Sequence, residues 1–154
     1  MAVRHLDHVT IVVEDLDATT TFFVGLGLEV VEGRTAIEDE WAARVVGVEG
    51  ARSEIVMVQT PDGRSRLELQ HYVDPPATGG GTYPSNTFGI TNVAFEVDDI
   101  HGMLARLAEE GYGLVGHLEN YADVYELCYV RRPEGIIVML AERIEQPSSP
   151  RAST

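Results

Sequence analysis

Near the start of the chain, branched apolar residues occupy every second position, which indicates the first strand. Val9, Ile11 and Val13 alternate with residues of different character, beginning at His8. Because successive side chains of a strand point to opposite faces, this two-residue period predicts a strand over residues 5–13. The Val and Ile side chains should face the helices and leave His8 on the opposite, concave face.

The period then changes to that of a helix. Side chains recur at helical spacing from Leu16 to Val24, Gly25 ends the run, and Asp15 or Asp17 can cap its first turn. After this predicted helix we expect a strand over residues 28–31, a helical turn over 41–46, a strand over 55–58, a turn over 61–63 and a strand over 67–72. The first half is therefore predicted to be a βαβββ unit.

The second half repeats that order. Residues 89–100 match residues 5–16 in pattern, and a Pro-x-Gly turn precedes the last strand of each half. The alignment places His8 on Asn92 and Glu68 on Met139. The second unit is predicted to have a strand over 90–97, a helix over 99–110 ended by Gly111, and strands near residues 114, 125 and 138.

The fold class predicted from these patterns is α+β, with two βαβββ modules. The modules should span residues 1–73 and 89–144, and the Pro- and Gly-rich stretch 74–88 should link them, because it can continue neither a helix nor a strand. Residues 145–154 have no apolar periodicity and are predicted to form a mobile tail.

Composition narrows the class of protein. A hydrophobic fraction of 44% in 154 residues is enough for a core. The net charge of −14 argues against nucleic acid as a partner, because binding phosphates requires clusters of Lys and Arg. Acidic groups such as Glu38 and Glu40 either attract a cationic ligand or only keep the protein soluble.

Neither a membrane nor a disulfide is predicted. No apolar run reaches the roughly 18 residues of a membrane span, and Arg4, His5 and Asp7 stand where a signal peptide would have an apolar core. We therefore expect a cytoplasmic protein with no membrane partner. The only cysteine, Cys128, lies in a strand-like run and is expected to be a buried structural thiol.

Over residues 5–143 the chain resembles the vicinal oxygen chelate superfamily, which includes glyoxalases, bleomycin resistance proteins and extradiol dioxygenases. The resemblance lies in the doubled βαβββ order, the strand start at His8, the segment Val13–Asp17 with its counterpart at residues 97–100, and the Pro-Glu-Gly turn before the last strand. It implies curved mixed sheets whose concave faces form a cleft, often completed by a second subunit. A homodimer is therefore expected.

The resemblance also implies four positions for metal ligands, which here are His8, Glu68, Asn92 and Met139. His and Glu can bind Zn, Ni, Mn or Fe(II), whereas Asn offers a neutral oxygen and Met a thioether that binds hard divalent ions poorly. No resident cofactor is therefore expected. The alternative is a divalent metal held by His8 and Glu68. A further interpretation is that these two residues belong to the scaffold and are hydrogen-bonded to each other or to water. His71 should lie on the other face of its strand, and His117 receives no role.

Without a metal, the cleft should be lined by apolar and aromatic side chains. Met57 and Met139 suit an adaptable surface, and aromatic rings can stack on a planar ligand. The predicted ligand-binding set is His8, Trp41, Met57, Glu68, Asn92, Tyr125, Tyr129 and Met139, with Tyr72, Tyr83, Phe88 and Tyr121 in bordering segments. Trp41, the only tryptophan, lies in a segment that could close over the cleft.

Two classes of function follow from the resemblance. The first is a binding protein that sequesters an aromatic antibiotic or similar cytotoxic natural product without transforming it, giving drug resistance. The second is a metal-dependent lyase, epimerase or dioxygenase that uses His8 and Glu68. A metal-free variant of this enzyme would use Glu68 as general base, with a raised pKa as its signature.

Overall fold

The computed structural model describes residues 2–144 and divides the chain into two compact units, Met1–Gly79 and Gly80–Thr154. The division falls inside the stretch predicted to be a linker. The predicted mobile tail, residues 145–154, lies outside the described residues. Within those residues, no helix is long and apolar enough to cross a membrane.

The first unit is a four-stranded sheet with one long and one short helix. Its strands lie in the order β1-β4-β3-β2, with β1 parallel to β4 and the other pairs antiparallel. The elements are β1 (Val9–Val12), α1 (Leu16–Gly25), β2 (Glu29–Ile37), α2 (Glu40–Val46), β3 (Arg52–Gln59) and β4 (Arg66–Asp74).

Helix α1 covers one face of this sheet. Asp15 caps the helix by accepting a hydrogen bond from the Ala18 amide at 2.8 Å, which decides between the two predicted caps. Phe22 and Phe23 are fully buried, with their rings edge to face and their centroids 5.2 Å apart. The strand residues buried on the same side alternate along the chain and include Val56, Val58, Leu67 and Leu69.

Two strands differ from prediction. Strand β1 has only four residues instead of the nine predicted over 5–13, because its pairing with β4 covers Val9 to Val12 alone. Strand β2 extends to Ile37, well beyond predicted residue 31, although it is exposed along almost its whole length. Strand β2 pairs with β3 over this length, with register shifts near Glu32. This pairing extends β2 through residues whose hydrophobic pattern does not predict a strand.

The second unit repeats this plan. Its sheet has the order β5-β9-β8-β6, with β5 parallel to β9, the other pairs antiparallel and β7 also paired with β8. The elements are β5 (Val93–Val97), α3 (Ile100–Glu109), β6 (Gly113–Leu114), β7 (Glu119–Tyr121), β8 (Tyr125–Arg131), a 3-10 turn (Pro133–Gly135) and β9 (Ile137–Arg143). Strand β7 was not predicted, and β5 begins three residues later than predicted residue 90.

The strand registers agree with the alignment of the two halves. Glu68 lies opposite Thr10, and Met139 lies opposite Ala94, which is the repeat equivalent of Thr10. Both sheets therefore pair their first and last strands in the same parallel register. The predicted α+β class is confirmed, as are two sheets of mixed strand orientation.

Candidate functional site

The face of the first sheet opposite α1 carries polar and sulfur-containing side chains, and we call it the first open face. The side chains of Thr10, Met57, Glu68 and Gln70 lie on it, since they alternate with the buried residues. The Thr10 hydroxyl donates a hydrogen bond of 3.1 Å to Glu68 Oε1. Met57 pairs with Glu68 from β3, so the three side chains form a row across three strands.

His8 is held by its neighbour in the sequence rather than by Glu68. Its Nδ1 lies 2.7 Å from Asp7 Oδ2, directly before β1. The hydrogen bond to His8 lowers the pKa of the Asp7 carboxyl below its ordinary value. Asp7 and Thr10 are thus the partners of the two predicted ligands, and sequence analysis singled out neither.

His71 lies on the helix-facing side, as its position in the strand predicted. Its Nδ1 is 3.2 Å from the carbonyl oxygen of Val13. His71 is therefore not a replacement ligand on the first open face.

The corresponding face of the second sheet, the second open face, is less charged along its central row. Ala94, Met139 and Tyr129 lie side by side on β5, β9 and β8, while Glu96, Ala141 and Leu127 form the next row. Asn92, directly before β5, donates a hydrogen bond of 3.0 Å from Nδ2 to the Tyr129 hydroxyl. The Asn92 amide and the Tyr129 hydroxyl therefore form a neutral pair beside a thioether.

The predicted aromatic residues do not form one surface. Tyr125 and Tyr129 are half-buried on the second open face, whereas Trp41 lies on α2 of the first unit with 58% of its surface exposed. Tyr121 pairs with Tyr125 from β7 and is 65% exposed. Helix α2 is only seven residues long, and Ala42 is its only buried residue, which leaves Trp41 facing solvent.

Two further aromatic residues line a cavity. The loop of residues 83–91 lies beside the 3-10 turn and the start of β9, and together they border a cavity of about 150 Å³ that is open to solvent. Tyr83, Phe88, Ile90 and Ile137 provide most of its apolar lining. Residues 83–88 of this loop were predicted to belong to the linker and residues 90 and 91 to the first strand of the second module, because Pro and Gly content reveals no tertiary contact.

Other ionisable side chains tie elements together. His101 Nε2 lies 2.9 Å from Glu126 Oε2, and Glu142 Oε2 accepts a 2.8 Å hydrogen bond from the Ile100 amide. Cys128 is buried as predicted, and burial raises the pKa of its thiol. His117 is exposed.

The four predicted ligand positions divide into two that suit a divalent metal and two that do not. Among residues 2–144, no group of three or more His, Cys, Asp or Glu side chains is placed to hold a metal ion. His8 and Glu68 are competent ligands, and their hydrogen bonds to Asp7 and Thr10 are of the kind that orients metal ligands. In the second unit, the family positions carry the neutral Asn92 and Met139.

Comparisons with known proteins agree with this fold. The model of the glyoxalase/bleomycin resistance protein/dioxygenase superfamily matches residues 7–129. A glyoxalase family protein from Bacillus cereus is 43% identical, with a TM-score of 0.90 over 94% of this chain and 97% of that one. Comparison with curated proteins gives no match.

More distant structures share the fold alone. A glyoxalase family protein from Enterococcus faecalis is 22% identical, with a TM-score of 0.60 over 90% of this chain and 98% of that one. The fosfomycin resistance protein FosX from Listeria monocytogenes, solved with Mn(II) and sulfate, is 13% identical, with a TM-score of 0.56 over 92% of this chain and 93% of that one. From the family match and the Bacillus cereus structure, we conclude that the chain belongs to the glyoxalase/bleomycin resistance protein/dioxygenase superfamily.

Proposed function

We propose that this protein binds a planar, largely apolar small molecule and sequesters it without transforming it, in the manner of a drug resistance protein. The observation that carries this proposal is the central row of the second open face. There the family's ligand positions are occupied by Asn92, bonded to Tyr129, and by Met139. Such a row offers stacking and dispersion contacts but no anionic ligand.

The small side chains of Ala94 and Ala141 support the same function. Both lie beside Met139 on the second open face, one opposite it on β5 and the other two residues further along β9. These short side chains on either side of Met139 leave space in which a flat ring can approach the sheet. The Tyr129 hydroxyl accepts from Asn92, so its own proton is available for an acceptor on the ligand.

The proposal predicts which variants weaken binding. We would titrate chelator-treated protein by calorimetry with metal-free bleomycin, which is cationic, and with mitomycin C, which is planar and uncharged. Tyr125→Ala and Tyr129→Ala should each raise Kd by about tenfold, since losing an aromatic contact costs on the order of 1 kcal/mol. His8→Ala should change Kd by less than about twofold, because no His8 contact belongs to that central row.

The control is Leu114→Ala, which shortens an exposed side chain on β6 of the same unit. Mass spectrometry of the recovered drug should show it unchanged. Equal loss of binding in Tyr125→Ala and Leu114→Ala would remove Tyr125 from the site. Loss of binding in His8→Ala alone would move the site to the first open face.

A metal-dependent enzyme of the same family is the second candidate. The observation that favours it is that both family positions in the first unit carry competent ligands, His8 and Glu68, and that FosX was solved with Mn(II). Under this proposal, added metal restores a turnover in the chelator-treated parent that His8→Ala abolishes. Such a result would replace sequestration as the function.

A further inference from the structure

The cavity beside the 3-10 turn is built by a loop that is anchored at its start. Gly135 has a φ of 85°, and a Cβ atom there would collide with the carbonyl oxygen of Gly81. Only glycine permits this close approach, so the start of the loop rests directly on the turn. The loop is thereby placed over the first residue of β9.

The cavity has few donors left to offer a ligand. Three of its four hydroxyl groups already donate to loop carbonyl oxygens: Tyr83 to Gly80 at 2.8 Å, Thr87 to Pro84 at 2.8 Å and Thr91 to Ser85 at 3.3 Å. The rest of the lining is divided between polar atoms of the loop and the apolar surface of the Tyr83 and Phe88 rings and two isoleucines. Because none of the lining side chains is charged, the cavity suits an uncharged guest.

Its floor continues into the second open face. Ile137, which is 5% exposed, precedes Met139 by two positions on β9 and shares its face. Thr91 in the wall is followed directly by Asn92. In contrast to this buried floor, Phe88 is fully exposed and Ile90 is 84% exposed at the rim. These rim side chains can gain contacts only from something that enters the cavity or covers it.

We infer that this cavity binds a single uncharged aromatic ring. A volume of about 150 Å³ matches an engineered apolar cavity, in an unrelated protein, that admits benzene. That this ring is part of a larger sequestered ligand rests on the function proposed above. The ligand would then place one ring in the loop cavity and the rest of its plane over the Asn92–Tyr129 pair.

The test uses toluene and the full-length protein labelled with ¹⁵N. Titration should shift amide resonances of residues 83–91 and 135–137 with a common Kd. Phe88→Ala and Ile90→Ala should each raise that Kd at least fivefold or so, while Leu114→Ala should leave it unchanged. Phe88, Ile90 and Leu114 are all exposed residues of the second unit, so their truncation should leave the fold intact.

Shifts confined to other residues, or equal Kd values in the three variants, would overturn the inference. The drug titrations and the toluene titration test different hypotheses, so either can give a negative result without the other. If the protein binds toluene but no drug, the cavity is an aromatic site and sequestration is wrong. If it binds a drug but no toluene, sequestration stands and the cavity assignment is wrong. If both hold, saturating toluene should weaken the binding of mitomycin C.

Discussion

At the scale of single residues, the candidate ligands are defined by the groups that hold them. His8 is bonded to Asp7, Glu68 accepts from Thr10, and Asn92 donates to Tyr129. The partners of Glu68 and Asn92 are neutral and distant in the sequence, whereas the partner of His8 is its acidic neighbour. These partners decide which side chains are free to meet a ligand, and residue identity alone did not specify them.

The Asp7–His8 pair leads to a prediction about pH. Because the bond to His8 lowers the pKa of Asp7 in the folded protein, this contact adds stability above the ordinary Asp pKa and loses it as pH falls through the lowered value. His8→Ala should raise the Asp7 pKa toward its ordinary value, measured by an NMR titration of side-chain carboxyl carbons. Asp62, whose pKa is lowered by Thr60 instead, is the internal control and should not move. An unchanged Asp7 pKa in His8→Ala would show that the pair does not form in solution.

At the scale of elements, the two units fasten helix to sheet at equivalent positions with different chemistry. In the first unit, Arg34 lies 2.9 Å from Asp17 of α1 and 3.4 Å from Glu54 of β3. In the second, the equivalent of Asp17 is His101, which contacts Glu126 directly. Strand β2 supplies Arg34, so this exposed strand has a role in the packing of α1 that its hydrophobic pattern does not reveal.

Both long helices depend on an aspartate cap, which gives a prediction about stability. The Asp15 carboxylate accepts from Ala18 N and the Asp99 carboxylate from Gly102 N, each at 2.8 Å. Asp15→Ala and Asp99→Ala should each lower the free energy of unfolding by about 1 kcal/mol, since an unpaired helix-terminal amide is left behind. Urea denaturation measures this loss. Asp98→Ala, next to the cap, should cost less than about 0.5 kcal/mol, and an equal cost would refute the capping role.

At the scale of the whole molecule, the question is whether the two halves together supply enough ligands for a metal. The chain carries 25 acidic residues, which attract cations weakly and without a defined site. The resemblance assigns two ligand positions to each half, and those of the second half carry Asn92 and Met139. Losing two inner ligands should weaken a specific metal site by at least roughly a hundredfold relative to a complete one.

Calorimetric titration of chelator-treated protein with Zn(II), Ni(II), Mn(II) and anaerobic Fe(II) tests this expectation. We expect no saturable site with one metal per chain in the micromolar range. His8→Ala separates specific binding from weak binding to surface carboxylates, because only specific binding should disappear in that variant. A saturable site that His8→Ala removes would favour the metal-dependent enzyme.

The sequence by itself determined the order of the main elements, the repeat with its equivalence of Glu68 and Met139, and the choice of Asp15 or Asp17 as the cap of the first helix. These features are local, because the period of side chains along a strand or helix follows from backbone geometry. The extent of β2 and the existence of β7 were not predictable in this way. Both depend on pairing with a distant strand rather than on their own residues.

Only the tertiary structure decided which side chains meet. It paired Asn92 with Tyr129, left Trp41 exposed on α2, and placed the loop of residues 83–91 against Ile137 to border a cavity. Such contacts depend on strand register and on the path of the loop. The Pro and Gly residues of the loop indicate where regular structure ends, but they do not determine that path. The aromatic side chains were identified from the sequence, but their division between an open sheet face, a loop cavity and solvent was set by the packing of distant segments.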